Sequence, residues 1–306
     1  MPALNYAKEY ARELAQAYPY ALYFGDLWSA IKQGVKFVNS KTIEIPSLST
    51  TGRVDGDRDT IGTFSRNFDN TWETKTLSQH RTWGTLVHPR DINETNQVAS
   101  ISNITQVYNE EQKFPEMNAY AISRMYSLKN EKETITSLAK GTITTANVLI
   151  YFDTLMDKMD EAGVPITGRI LYVDTYTKTM IDTAKESARF LTSTDTSIKR
   201  TISRIDEVDI RSVPTKFMKT EYTFFKGNES SGQKSGYAIK SGAKDIKMFL
   251  VHLSAVIPAV NYEFAQLESP SALSQGKYVY FEESFEDLFI FDKKHDALQF
   301  VVENVA

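Results

Sequence analysis

The chain contains no cysteine. That excludes a disulfide framework and any thiolate-bound metal. Basic residues are not in excess: 35 Lys and Arg stand against 39 Asp and Glu, a formal net charge of -4. A chain so balanced has no surplus of cations with which to displace counterions from nucleic-acid phosphates. No apolar run approaches the roughly 20 residues of a membrane span. The N-terminus lacks the basic-then-apolar pattern of a secretory signal, so the expected site of synthesis and residence is the cytoplasm. No internal repeat and no low-complexity tract is visible. Histidine is scarce, with four residues. His80, His88, His252 and His295 are not spaced as a metal site or a catalytic triad, and His252 reads as a satisfied core or rim side chain.

Two stretches carry a partial motif. "DGDRDTIG" places Asp55, Asp57 and Asp59 at calcium-loop spacing, but Thr60 stands where the loop needs Gly and Arg66 where it needs Glu. A solvated turn accounts for it better. "GNESSGQKS" approaches a phosphate-binding loop, yet Gln233 replaces the required Lys and no strand-to-helix context flanks it. Ser254, Ser269 and Ser271 lack the context of a nucleophile elbow. No catalytic residue, cofactor site or metal site is predicted.

What the chain does have is scaffold. Its 306 residues, 41% hydrophobic and 24% charged, suffice for one large domain or two small ones. Residues 4–17 carry apolar side chains on one helical face and end before Pro19. The aromatic run from Tyr18 through Trp28 packs on its own core, the commoner case, or on a neighbour. Val35, Phe37, Ile43 and Ile45 alternate as in a strand that Pro46 is expected to stop. The segment 91–130 has apolar residues at helical spacing with Pro115 inside, which predicts a kink or two consecutive helices, capped by Asp91 or Asn93. After residue 140 the pattern becomes α/β. The helix of "TTANVLIYFDTLMDKMDEAGVP" has Val148, Ile150, Phe152, Leu155 and Met159 as its apolar positions and a stop at Gly163. "GRILYVD", "VDIRSVP" and "IKMFLVH" read as strands, "TYTKTMIDTAKESARF" as a helix, and the tail from 276 as a pair of strands turning at "DKKHD".

The least ordinary segment is "RVDGDRDTIGTFSRNFDNTWETKTLSQHRTWGTLVH", residues 53–88. Thr, Asn, Asp and Ser dominate it and resist helix interiors. It predicts two long strands, about 60–76 and 80–88, forming a hairpin. Phe64, Phe68 and Trp72 are too sparse to give that hairpin a core of its own. It must lie on the rest of the chain or on another copy. The residues alone therefore leave two classes open: a self-assembling structural protein, or an α/β enzyme with an unrecognised site.

The order of the parts, with "DINETNQ" leading into a helix, "DEAGVP" followed by "GRILYV", and "HLSAVIPAVNYE", resembles the major capsid protein of tailed bacteriophages of Gram-positive bacteria. The resemblance covers essentially the whole chain. It implies an α+β fold of the Hong Kong 97 type: an N-terminal arm (1–34), an extended loop (48–86), a peripheral domain (35–47, 87–135 and 276–306) with a long spine helix, and an axial domain (136–275). It implies a subunit that assembles as hexamers and pentamers into an icosahedral shell around double-stranded DNA, gripping no particular sequence and meeting no membrane. Partners would be other copies, a separate scaffolding protein, a portal and decoration proteins. The extended loop would lie across the adjacent subunit, with Arg53, Arg58, Phe64, Phe68, Trp72, Lys75, Arg81 and Trp83 as inter-subunit contacts. An encapsulin-like shell is the alternative within the same fold.

Overall fold

The computed structural model describes residues 21–30, 36–39, 41–53, 55, 66–94, 100–190, 204–205, 208–227 and 235–305. The helix expected over 4–17, Phe64, Arg58 and the Gln233 loop lie outside the described residues, as do Asp57 and Asp59. The chain enters through a short helix α1 (Gly25–Trp28), then β1 (Lys36–Asn39), β2 (Thr42–Thr50), β3 (Phe68–Thr76) and β4 (Gln79–Val87). The helices α2 (Pro89–Glu94), α3 (Ile101–Tyr108) and α4 (Phe114–Lys132) follow. Next come β5 (Ser137–Leu138), α5 (Val148–Glu161), β6 (Arg169–Asp174), α6 (Thr175–Phe190), β7 (Arg204–Ile205) and β8 (Val208–Val213). The remaining strands are β9 (Tyr222–Phe224), β10 (Tyr237–Ile239), β11 (Asp245–His252), β12 (Val256–Glu268), β13 (Tyr278–Ile290) and β14 (Leu298–Glu303).

A six-stranded mixed sheet, ordered β5-β14-β11-β6-β8-β7, forms the centre. β6 and β8 are parallel, joined through α6, while β11 runs antiparallel to β6 and to β14. One face takes α5 and α6: Leu171, Val173, Met248, Leu250 and Val301 pack with Phe152, Leu155, Met159 and Ile181. The other takes α4 and the N-terminal segment: Tyr172, Phe249, Val251 and Phe300 pack with Ala119, Ile122, Met125, Phe24 and Leu27. Covered on both sides, β6 is buried along its whole length, which is why "RILYV" is a continuous apolar run rather than an alternating one. Phe24 and Leu27 are fully buried in this core, so the described part of the aromatic run packs on its own subunit.

The α5–β6 connection shows how local chemistry sets this frame. Gly163 ends α5 with φ +70, a conformation that costs a glycine nothing. Arg169, 1% exposed, then turns back on the helix end. Its guanidinium donates to the carbonyls of Pro165 (2.9 Å) and Val164 (2.5 Å) and to Asp160 (2.6 Å). Arg169→Ala strands those acceptors and is expected to cost on the order of 3 kcal/mol of stability, with Lys restoring little because it lacks the planar fork. Denaturant midpoints of the two variants check this.

The spine differs from either expected form. α3 and α4 are joined by a π-helical turn, Asn109–Lys113, so the helix neither breaks nor splits at Pro115. Pro115 is the second residue of α4, directly after that π turn, and the wider turn takes up the backbone where proline lacks an N–H. The cap of α3 is Ser100, whose hydroxyl accepts from the amide of Asn103, and Asp91 sits instead in the first turn of α2. Ile150, expected on the buried face of α5, is exposed.

Three strand expectations are corrected. Pro46 does not stop β2, which pairs through it to Thr50. Among the described residues β1 pairs only as far as Glu44, and none of them pairs with Pro46 on that edge, where a missing N–H is tolerated. β3 and β4 exist but do not pair with each other: β3 pairs back onto β2, and β4 joins β13 in the sheet β12-β13-β4. The tail strands part in the same way. β13 pairs with β12 and β4, while β14 enters the six-stranded sheet between β5 and β11.

Candidate functional site

The long ribbon of the sequence is thus the β2–β3 hairpin. Directly paired residues share a face. One face carries Ile43, Ile45, Glu73 and Lys75; the other carries Pro46 opposite Trp72, Leu48 opposite Asn70 and Thr50 opposite Phe68. The first face is fastened at its base. Ile43 and Ile45 are buried against Ile257, Ala259 and Phe289, beside Leu77. Lys75 Nζ lies 2.9 Å from Asp292, which also takes Lys132 at 3.2 Å. Lys293 donates to the carbonyl of Leu48 at 2.7 Å. Beyond residue 46 the hairpin is largely solvent-exposed on both faces, and Leu48, Phe68 and Trp72 are each half or more exposed. A ribbon this polar holds an exposed apolar stripe that its own subunit does not cover.

The corner between β3 and β4 is held by Asp287, 0% exposed. Its carboxylate accepts from the amide (2.8 Å) and hydroxyl (2.9 Å) of Ser78, from the hydroxyl of Tyr120 (2.6 Å), from Nε of Arg124 (3.1 Å) and from the amide of Leu288 (2.7 Å). Burial first, and the neighbouring carboxylate second, push the Tyr120 hydroxyl well above its ordinary value, so it stays a donor. This one group ties the hairpin corner to α4 and β13.

The predicted contact residues therefore divide. Trp72 and Phe68 stand on the exposed stripe, with the Arg66 guanidinium 4.7 Å over the Phe68 ring. Arg53 is exposed near the far end. Lys75 is engaged within its own subunit, as described. Arg81 pairs with Glu116 (2.5 Å) and donates to the carbonyl of Phe225 (2.9 Å). Trp83 stacks on Tyr108, centroids 3.8 Å apart. Leu48 and Pro46 belong to the stripe as well, because period-two alternation with Ile43 and Ile45 puts them on the opposite face.

His252 accepts from the Ser254 amide (3.3 Å), and its ring nitrogens lie 2.7 Å from the Ser254 hydroxyl and 3.0 Å from the carbonyl of Thr167. It pins a turn at a strand end. Among the described residues no three His, Asp or Glu side chains could hold a metal ion, and no helix is long and apolar enough to cross a membrane.

Asp292 gives the hairpin base a pH dependence. Partial burial pushes its carboxyl up, but hydrogen bonds from Lys75 and Lys132 and their charges outweigh it, and the net shift is downward. A carboxyl lowered on folding contributes stability that is fully present above its unfolded value, about 4, and is lost as pH falls through the folded value below that. The expected result is constant amide protection of residues 42–48 and 73–76 down to about pH 4, followed by a loss that Asp292→Asn removes.

No known family profile matches the sequence, and no curated protein does. Solved structures do match, over nearly the full length. The capsid structure of the cyanophage P-SCSP1u matches with a TM-score of 0.65 at 10% identity, covering 98% of this chain and 94% of that one. The asymmetric unit of the bacteriophage PhiM1 mature capsid gives 0.65 at 9%, covering 97% and 91%. The capsid of Ralstonia phage GP4 gives 0.58 at 8%, covering 98% and 95%. The chain has the α+β fold of these phage capsid structures, the Hong Kong 97-type fold that the sequence resemblance implied.

Proposed function

We propose that this chain is the major capsid protein of a tailed bacteriophage and forms an icosahedral shell around the double-stranded DNA genome. The observation that carries the proposal is the fold match to phage capsids, which spans 97–98% of this chain and 91–94% of those chains. The β2–β3 hairpin supports it, because an apolar stripe left bare by its own subunit suits a chain that meets copies of itself. Hexamers and pentamers are the capsomers such a shell requires. Scaffolding, portal and decoration proteins are the expected partners, and assembly takes place in the host cytoplasm. The subunit's role is structural, with no enzymatic step. A slightly acidic chain suits a container, since packaged DNA has to enter and leave.

Within this reading the extended loop is the β2–β3 hairpin, starting at Thr42 and ending at Thr76. β4, which is clamped to β13 and to the spine, belongs to the peripheral body. β14 belongs with the axial sheet. The test is electron microscopy of the purified chain, with and without a co-expressed scaffolding protein. Closed shells or capsomer-built tubes are expected; dispersed monomers under both conditions would sink the proposal.

A further inference from the structure

We infer that the cleft between α4 and the segment 220–222 binds an oxyanion, a carboxylate or a phosphate group. The inference goes beyond the shell reading and does not depend on it, because the cleft lies within one subunit.

The cleft has a volume of about 340 Å³ and is lined by α4, by the residues that lead into β9 and by Ser78 at the β3–β4 corner. A polar cleft of this size holds water when it is free, and a ligand has to match the hydrogen bonds of the water it displaces. Most hydroxyl protons on the wall are already spent inside the fold. Ser78 and Tyr120 donate to Asp287, as described. Ser123 donates to the carbonyl of Ala119 at 2.9 Å, Ser127 to Glu131 at 3.2 Å, and Tyr222 to the carbonyl of Lys216 at 2.8 Å.

Four lining groups keep a proton to give. Arg124 uses only Nε, on Asp287 (3.1 Å) and on the carbonyl of Leu288 (3.3 Å), so its two terminal NH2 groups have no acceptor among the described residues. The side-chain oxygen of Asn130 accepts from the amide of Ile135 at 3.0 Å, which leaves the NH2 open. Thr220, 3% exposed, accepts from the amide of Lys244 at 2.9 Å, and its own proton has no acceptor among the described residues. The Tyr126 hydroxyl has no hydrogen-bond partner among them either, while its ring is held edge-on to Phe300 at 5.6 Å. Burial first, and Glu221 second, raise that hydroxyl above its ordinary value, so it remains a donor at neutral pH. The only carboxylate among the lining residues, Glu221, is paired with Lys240 at 2.5 Å.

A wall with donors to spare selects a ligand that brings acceptors. A sugar or an amide brings donors as well, and the wall has little left to receive them. An oxyanion brings acceptors alone, and a guanidinium with both NH2 groups free presents the fork that carboxylates and phosphates accept. Asp287 sits on the other edge of Arg124 and offsets its charge, so the cleft selects by hydrogen bonding more than by field. The expected dissociation constant is therefore modest, on the order of 1 mM.

The test is calorimetric titration of the purified chain with inorganic phosphate and, separately, with acetate, at an ionic strength held constant with chloride. Saturable binding of at least one anion is expected, with a matching rise in melting temperature. Tighter phosphate would make a phosphate ester the natural ligand; tighter acetate would make it an acidic side chain or chain terminus. Asn130→Asp keeps the acceptor for the Ile135 amide and turns the open donor into a like charge. It should weaken binding roughly thirtyfold or more and leave melting in plain buffer unchanged. Tyr126→Phe keeps the ring against Phe300, removes one donor, and should weaken binding roughly tenfold. No saturable response to either anion, or an Asn130→Asp variant that binds as tightly as the parent chain, would overturn the inference. Particle formation is not the readout, so either outcome leaves the shell reading to its own test.

Discussion

Asp287→Ala is expected to loosen the corner between β3 and β4 and its ties to α4 and β13, with a loss on the order of 3–5 kcal/mol. The reason is the number of groups that lose their partner at once. Tyr120, Ser78 and the Leu288 amide all donate to this fully buried carboxylate, and Arg124 supplies the charge. Each buried donor left without an acceptor costs about 1–3 kcal/mol, and the groups act as a unit, so the losses do not simply add. Asp287→Asn keeps the size and one acceptor oxygen and should cost markedly less, since Arg124 is partly solvated. Denaturant melts of both variants, followed by the fluorescence of Trp83 and Trp28, separate the cases. Equal and small losses would mean that the corner between β3 and β4 is held by packing alone.

Trp72→Asp should have the opposite profile. Trp72 is half exposed in the isolated subunit, so its replacement removes little from the core, and melting should shift by no more than about 0.5 kcal/mol, as at other surface sites. In an assembling chain the same change sets a carboxylate in the middle of an apolar contact. Loss of assembly by a factor of 30 or more corresponds to about 2 kcal/mol per contact, repeated around every capsomer. Amide exchange gives a second view. Residues 47–53 and 66–72 should exchange fast in free subunits and slowly in shells, whereas 79–87, bonded to β13, should be slow in both. A variant that assembles normally would remove the hairpin stripe from the interface.

These predictions also show what was legible in the residues. "RILYV" and "MFLV" announce buried strands because apolar residues run on without alternation, and α5 announces itself through Val148, Phe152, Leu155 and Met159. Ile150 is apolar but stands two residues from both Val148 and Phe152, roughly 200° round the helix, so the same period puts it on the opposite, exposed face. The strands 68–76 and 79–87 were readable from Thr, Trp and alternation. Their pairing was not, since β4 takes a partner some two hundred residues later in the chain and nothing local distinguishes it from β3. The same holds for the contact residues. Trp72 and Phe68 could be placed on one face by counting. That Lys75, Arg81 and Trp83 meet Asp292, Glu116 and Tyr108 depends on tertiary packing that no window of sequence contains. The tail misled in the same way: β13 and β14 have one alternating pattern but separate at residues 292–297 into different sheets.

The position of β14 sets a clock for the protein. Residues 298–303 come after every other described strand, yet they fill the slot between β5 and β11. Until they are made, the central sheet has a gap and Leu298, Phe300 and Val302 are missing from its core. A ribosome-bound chain therefore cannot finish its central fold ahead of its last strand. On the shell proposal, a copy becomes competent to join its neighbours only once β14 is in place.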